Sequence, residues 1–415
     1  CNKHSFREMA VYVHCPSPYG YCGYSSESSE SYGDELVSIR TGGGLDPDGR
    51  CGIRNDAVEA GEVVVEEYAM SAIHQNKKDC ISCQFCFKFL VNAKDIHNGM
   101  GREDVLEYAT WLCECGEIFC SEICANESYR RGHGLLCTGE FQSEDSPLVK
   151  FKLHAINTDD LFLLAGKIYA RVITEMNSTG TSFERVWEIY YKDFAPRCGS
   201  LYYGEGEDFD EETFQNCEES LRLLRAALGP AVCNPDEVDS LFCIKLYGSL
   251  LEKLTRNNIG IRIKNPFASY VDKLSVDNEL LKLIASTWTI LDDTAEKEEE
   301  DTAEKEDDTK EGMSPLEFKE HIDELFPCVD GEGLFSTGGA MNHSCSPNTR
   351  IKFGEDNMIQ FIAVRDIAAG EEITYNYIAH LGEEVGLKER QEALADTYRF
   401  ECRCPKCLTE IEAQT

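Results

Sequence analysis

Asn342-His343-Ser344-Cys345-Ser346-Pro347-Asn348 forms a polar, turn-forming knot in a strand-like stretch, and Cys402-x-Cys404-x-x-Cys407 follows near the end of the chain. Cys345 with Cys402, Cys404 and Cys407 makes four thiols, the number a tetrahedral structural zinc takes. A zinc shared by these four would pin the C-terminal tail over the knot and build one wall of a pocket beside it. A second set lies upstream: Cys83 and Cys86, Cys113 and Cys115, Cys120 and Cys124, His133 and Cys137. These are eight ligands in four close pairs, enough for two further zincs. A short loop between paired ligands lets both side chains converge on one metal without strain. Cys80 also makes a Cys-x-x-Cys with Cys83 and is the reserve ligand of the first pair. The expectation is three zinc ions in all.

The elements that must position these residues are legible in outline. Residues 1–34 are rich in Ser, Tyr, Gly and Glu and read as weakly ordered. Residues 35–79 are strand-rich, with turns at Gly42-Gly43-Gly44, Gly49 and Gly52 and a strand at Glu62–Glu66. Residues 80–138 hold the paired ligands. Residues 139–290 carry a helical period, with Leu161, Leu164, Ala165 and Ile168 on one face and Leu221, Leu224 and Leu228 on another. Residues 291–313 are acidic and of low complexity, with Asp-Thr-Ala-Glu-Lys-Glu starting at Asp293 and again at Asp301. Strands return over 314–380, at Met358–Val364 and Ile373–Tyr377, and a helix near Lys388–Asp396 opens the tail, 381–415. Neither strand-rich half is long enough to bury a core alone, so one sheet domain interrupted by insertions is expected.

Composition bounds the partners. The 415 residues carry a net charge of -36, which opposes direct contact with a nucleic-acid backbone and favours basic protein segments. Hydrophobic content is 42%, as for a globular chain, and no apolar run reaches the ~20 residues of a spanning helix. The 21 cysteines, an odd number clustered beside histidine, fit intracellular zinc binding better than a disulfide scaffold. The chain begins at Cys1, so the natural N-terminus is expected to lie upstream.

The paired ligands resemble a MYND zinc finger, whose ending is matched by Phe119-Cys120, Cys124, His133 and Cys137. The spacer after Cys86 is longer than that family's, and Cys113-x-Cys115 is shorter by one residue. The resemblance implies interleaved ligation: Cys83, Cys86, Cys120 and Cys124 on one zinc, and Cys113, Cys115, His133 and Cys137 on the other. It also implies a role in protein contacts. The finger, then the knot, then Gly370-Glu371-Glu372-Ile373-Thr374-Tyr375-Asn376-Tyr377, then the terminal cysteines, look like a SET- and MYND-domain lysine methyltransferase over roughly residues 37–410. The stretches His133–Glu140 and Gly331–Asn348 are similar to the subgroup without a long C-terminal helical domain, which holds plant relatives and the fifth animal member.

That resemblance implies an α+β fold: a SET β-fold of short strands, split by the finger and a helical insert, closed by a zinc-binding post-SET tail. It implies S-adenosylmethionine as cofactor and a lysine of a histone tail or another basic protein, such as a ribosomal protein, as substrate. Tyr377 matches the catalytic tyrosine, and Tyr375 the nearby position that in many such enzymes influences the number of methyls added. Asn342 and His343 match the cofactor-binding pair. Asn257, with Asn258 as its rival, matches an asparagine at the cofactor's amino-acid end. Phe400 matches an aromatic that packs on the cofactor. The N-terminal cofactor loop is read at Arg50 and Gly52, with Gly42-Gly43-Gly44-Leu45 as the alternative. The competing reading is a catalytically inactive adaptor that recruits partners through the finger. A monomer of nucleus or cytoplasm, without membrane attachment, completes the expectations.

Overall fold

The computed structural model describes residues 11–12, 37–41, 50–77, 80–90, 111–140, 143–191, 194, 210–287, 313–382 and 384–414. The rival glycine stretch Gly42–Leu45 and the acidic repeat lie outside the described residues, as does most of 1–34. The strands in chain order are β1 (Val11–Tyr12), β2 (Val37–Thr41), β3 (Arg50–Arg54), β4 (Val63–Tyr68), β5 (Ser71–His74), β6 (Trp111–Leu112), β7 (Asn258–Ile263), β8 (Val329–Leu334), β9 (Asn342–His343), β10 (Thr349–Phe353), β11 (Met358–Ala363) and β12 (Glu372–Tyr375). Together with long helices they make an α+β fold.

Three small sheets form the half that carries the knot, in the orders β10-β11-β4, β2-β3-β12-β9 and β5-β8-β7. Each joins the two strand-rich segments that the insertions separate: β4 pairs with β11, β3 with β12 and β5 with β8, all antiparallel. The pairing is forced by pattern. Val64 and Val65 on β4 and Ile359 and Phe361 on β11 are almost fully buried and meet Ile259, Ile261, Phe335, Met341 and Ile373 in one core. Neither segment could cover these side chains alone. The β1 and β6 pair is short and parallel.

A second core lies among the helices and takes in Ile73 of β5 and Leu334 of β8. Leu161, Leu164, Ala165 and Ile168 are buried on the helix Leu161–Thr179, and Leu221, Leu224 and Leu228 on the helix Glu211–Leu228. The helical reading of 139–290 fails at one place. Asn258-Ile259-Gly260-Ile261-Arg262-Ile263 buries every second residue and forms β7 against β8. Its three isoleucines alternate with a period of two, which suits a pleated edge and not a helix. This strand follows directly on the helix Ile244–Asn257, so the insert delivers its last helical residue, Asn257, to the edge of the sheet. Among the described residues no helix is long and apolar enough to cross a membrane.

The central strand of the sheet β5-β8-β7 has no room for a side chain at Gly331. A Cβ on Gly331 would collide with the Ile73 carbonyl and stand 2.8 Å from the Phe87 ring. Gly331→Ala is therefore expected to cost about 1–3 kcal/mol, as overpacking does. A urea-unfolding midpoint equal to that of the parent protein would contradict this packing.

Candidate active site and metal centres

The knot is aimed by hydrogen bonds from two sides. Upstream, the Glu67 carboxylate accepts the backbone N–H groups of Thr337 at 3.0 Å and Gly338 at 2.6 Å. It thereby satisfies the open N-terminus of the short turn Gly338–Ala340. Downstream, the buried Asn348 side chain acts as a substitute strand: its Oδ1 accepts from Thr374 N at 2.8 Å, and its Nδ2 donates to the Glu372 carbonyl at 2.8 Å. Between these anchors β9 lies parallel to β12, with Asn342 beside Thr374 and His343 beside Tyr375. Asn342 Nδ2 donates to the Glu372 carboxylate at 2.7 Å.

His343 is buried, and both ring nitrogens are used. Nδ1 accepts the Tyr377 backbone N–H at 3.0 Å, and Nε2 lies 3.2 Å from Cys345 Sγ. An accepting Nδ1 places the ring proton on Nε2, so the imidazole donates to the sulfur. Burial, reinforced by Arg390, pushes His343 down to about 4 against the opposing pull of Cys404, so the ring is neutral near pH 7. The Tyr377 hydroxyl donates to the Met341 carbonyl at 2.5 Å. Tyr377 is thus held at its backbone by His343 and at its hydroxyl by the residue preceding the knot.

Aromatic rings surround that hydroxyl. β12 ends at Tyr375, so Tyr377 stands just beyond the strand, yet their ring centroids are only 4.7 Å apart. Tyr398 lies 4.8 Å from Tyr377 on the far side, and Phe361 lies 5.5 Å from Tyr375. Phe400 is 6.0 Å from His343 and 6.5 Å from Tyr377. Burial, then the neighbouring Tyr377, pushes the Tyr375 phenol well above its usual range, which keeps it neutral.

A polar group borders the same turn. Arg50 Nη2 donates at 3.3 Å to both Asn257 Oδ1 and the Gly339 carbonyl, and its guanidinium lies over the Phe194 ring at 5.2 Å. Gly52 pairs with Ile373, and a Cβ there would approach the Met341 side chain to 3.3 Å. Asn257, and not Asn258, reaches this group; the Asn258 amide donates to Glu332 on β8. Arg50, Gly52, Asn257, Asn342, His343, Tyr375, Tyr377 and Phe400 are thus joined, directly or through Gly339 and Met341, around one turn. Glu67 and Tyr398 belong to it as well, although nothing in their local sequence context distinguishes them, and so does Asn348 at the end of the knot, whose bonding role the motif does not reveal.

Three ligand groups have the geometry of zinc centres: Cys83, Cys86, Cys120 and Cys124; Cys113, Cys115, His133 and Cys137; and Cys345, Cys402, Cys404 and Cys407. In each, the ligand atoms lie within 4.8 Å of one another. Sulfur pairs such as Cys120–Cys124 at 3.4 Å, Cys86–Cys120 at 3.6 Å and Cys407–Cys345 at 3.6 Å are close to the about 3.8 Å edge of a tetrahedron with 2.3 Å Zn–S bonds. Cys80 stands apart, donating to the Cys328 carbonyl at 3.0 Å. Arg390, buried under the tail, donates to Glu410 at 2.6 Å and to the Val385 carbonyl at 2.6 Å, and reaches Cys407 Sγ at 3.9 Å.

A SET-domain family model matches residues 53–378. The histone-lysine N-methyltransferase ATXR2 of Arabidopsis thaliana is 30% identical over 320 residues, 71% of this chain and 61% of that protein. The match thus spans about three fifths of the plant relative. The protein-lysine N-trimethyltransferase SMYD5 of Danio rerio is 23% identical over 379 residues, 84% of this chain and 80% of the relative. Its Mus musculus counterpart is 39% identical over 84 residues, 20% of each chain.

Because Cys345 belongs to both the knot and the tail cluster, removing a tail thiol should disturb the site. Cys404→Ser is expected to lower the zinc content from three ions to two by native mass spectrometry. It should also weaken binding at the pocket by about tenfold, about 1.4 kcal/mol. A variant that retains all its zinc would refute the four-thiol centre.

Proposed function

The chain belongs to the SET-domain family, and from that membership we propose that it is an S-adenosylmethionine-dependent protein-lysine N-methyltransferase acting on lysines of histones or other basic proteins. The observation that carries the reading is Tyr377, its hydroxyl fixed on the Met341 carbonyl, its ring packed among Tyr375, Tyr398 and Phe400, and its backbone N–H held by His343. The residues fit the cofactor. The Arg50 guanidinium and Asn257 carboxamide form a polar end suited to an amino-acid head group. The ring of Phe400, tilted against His343 at a centroid distance of 6.0 Å, offers an apolar surface suited to an adenine ring.

S-adenosylmethionine supplies an electrophilic methyl group on a sulfonium sulfur. The chain's part is to present a neutral amine in line with it, and orientation and electrostatics carry that task. A lysine amine has a free pKa near 10.4 and must lose its proton first. The aromatic cage favours the neutral form by desolvation. Tyr377 would orient the amine lone pair, and the Met341 carbonyl, which accepts its hydroxyl, would hold that hydroxyl in place. The buried, un-ionised Tyr375 keeps a competing negative charge out of the channel. Outside it, the net charge of -36 draws basic segments of protein to the surface. The finger would then recruit protein partners.

Calorimetric titration of zinc-replete protein with S-adenosylmethionine tests the reading, and a complete lack of binding would leave only the adaptor. Tyr377→Phe should reduce transfer of radiolabelled methyl to core histones or a ribosomal protein fraction by about 100-fold or more. Cofactor affinity should stay within about twofold, since the lost hydroxyl acts on the amine. Undiminished turnover would remove Tyr377 from its role.

A further inference from the structure

The finger contains a carboxylate that no part of the site accounts for. Glu117 sits two residues after the ligand Cys115, and its side chain keeps only 23% of its exposure. Its backbone carbonyl accepts Cys113 N–H at 2.8 Å, closing a tight turn in which Gly116 takes a φ of +83°. That turn swings the Glu117 carboxylate behind the histidine of the same centre. His133, only 8% exposed, presents Nε2 to the thiols, 3.2 Å from Cys113 Sγ and 3.7 Å from Cys115 Sγ. Its other nitrogen, Nδ1, lies 3.2 Å from Glu117 Oε2. Phe119 packs edge-on to the imidazole at 5.9 Å.

We propose that Glu117 is the positioning residue of the finger's three-thiolate, one-histidine zinc centre: its carboxylate accepts the Nδ1–H of His133, leaving Nε2 as the ligand nitrogen and fixing the plane of the ring. A free imidazole can carry its proton on either nitrogen, and only one tautomer offers Nε2 to a metal. A carboxylate at 3.2 Å selects that tautomer and makes the ring a stronger donor.

The proposal is independent of the methyltransferase reading, because it is read from metal retention alone. The full chain, loaded with zinc or cadmium, is compared with Glu117→Ala and Glu117→Gln by release of zinc into a chelator and by cadmium NMR. The mixed-ligand centre differs from the two four-thiolate centres and gives its own resonance. Glu117→Ala should release one zinc about 10–100-fold faster, the usual range for loss of such a partner. Only the mixed-ligand resonance should shift or broaden. Glu117→Gln, which keeps an accepting oxygen without the charge, should fall between Ala and wild type. Unchanged release and an unshifted resonance in Glu117→Ala would overturn the proposal. Should that variant fail to fold, the same two readouts on Glu117→Gln decide, and identity with wild type in both overturns it.

Discussion

One imidazole carries the arrangement of the site. His343 spans the distance between a tail-cluster sulfur and the Tyr377 backbone, using one nitrogen for each. A side chain with a single polar atom could not do this, and a flexible one would not hold two partners at fixed separation. Because the ring is buried and neutral, its directional hydrogen bonds decide its orientation more than charge does. Any displacement of Cys345 is passed through a rigid five-membered ring to the residue that carries the hydroxyl. The C-terminal tail is in this sense part of the pocket's foundation, although it contributes only Tyr398 and Phe400 to its wall.

The rest of the architecture serves to bring that ring into place. The knot must run parallel to β12, and short parallel pairs are weak on their own. Asn348 and Thr349 therefore add side-chain hydrogen bonds to the β12 backbone, at Thr374 N, Glu372 O and Thr374 O. β12 in turn needs β3, which arrives from the opposite end of the chain. The finger and the helical insert occupy the interval between, and both return to the same sheet. Arg131 and Arg171 donate to the carbonyls of Ala69 and Met70, and Lys167 to that of Ala72. Two cations thus cover the loop that joins β4 to β5 and a third the start of β5, where backbone acceptors would otherwise lack partners.

What could be read from the sequence follows how local each signal is. The zinc ligands were legible because paired spacing is a property of a few consecutive residues, and the three groups assemble with the membership the spacing and resemblance suggested. Tyr377 and Asn342-His343 lie in motifs just as local, and the structure brings Tyr377 and His343 into contact. The bridging use of His343 was not legible, since it depends on a strand pairing that no window around residue 343 contains. Arg50 and Asn257 illustrate the same limit: they are 207 residues apart and meet only because β7 closes one sheet and β3 another. β7 itself was hidden by its neighbourhood, six alternating residues between helices. Glu67, an ordinary strand glutamate by sequence, caps a turn 270 residues away.

The order of assembly follows from these dependencies. Sheet pairings between residues 50–74 and 329–375 close very long loops, an entropic cost that a core within the intervening insert lessens. Tyr169, Leu224, Tyr247 and Leu254 are fully buried in such a core, which the helices build and which Ile73 of β5 and Leu334 of β8 join at its edge. Once β12 is paired, the knot can lie beside it and present Cys345. Only then do four thiols converge, because the other three come from a tail with few buried residues of its own besides its cysteines. The tail cluster therefore depends on the placement of Cys345, and through His343 the position of Tyr377 depends on both.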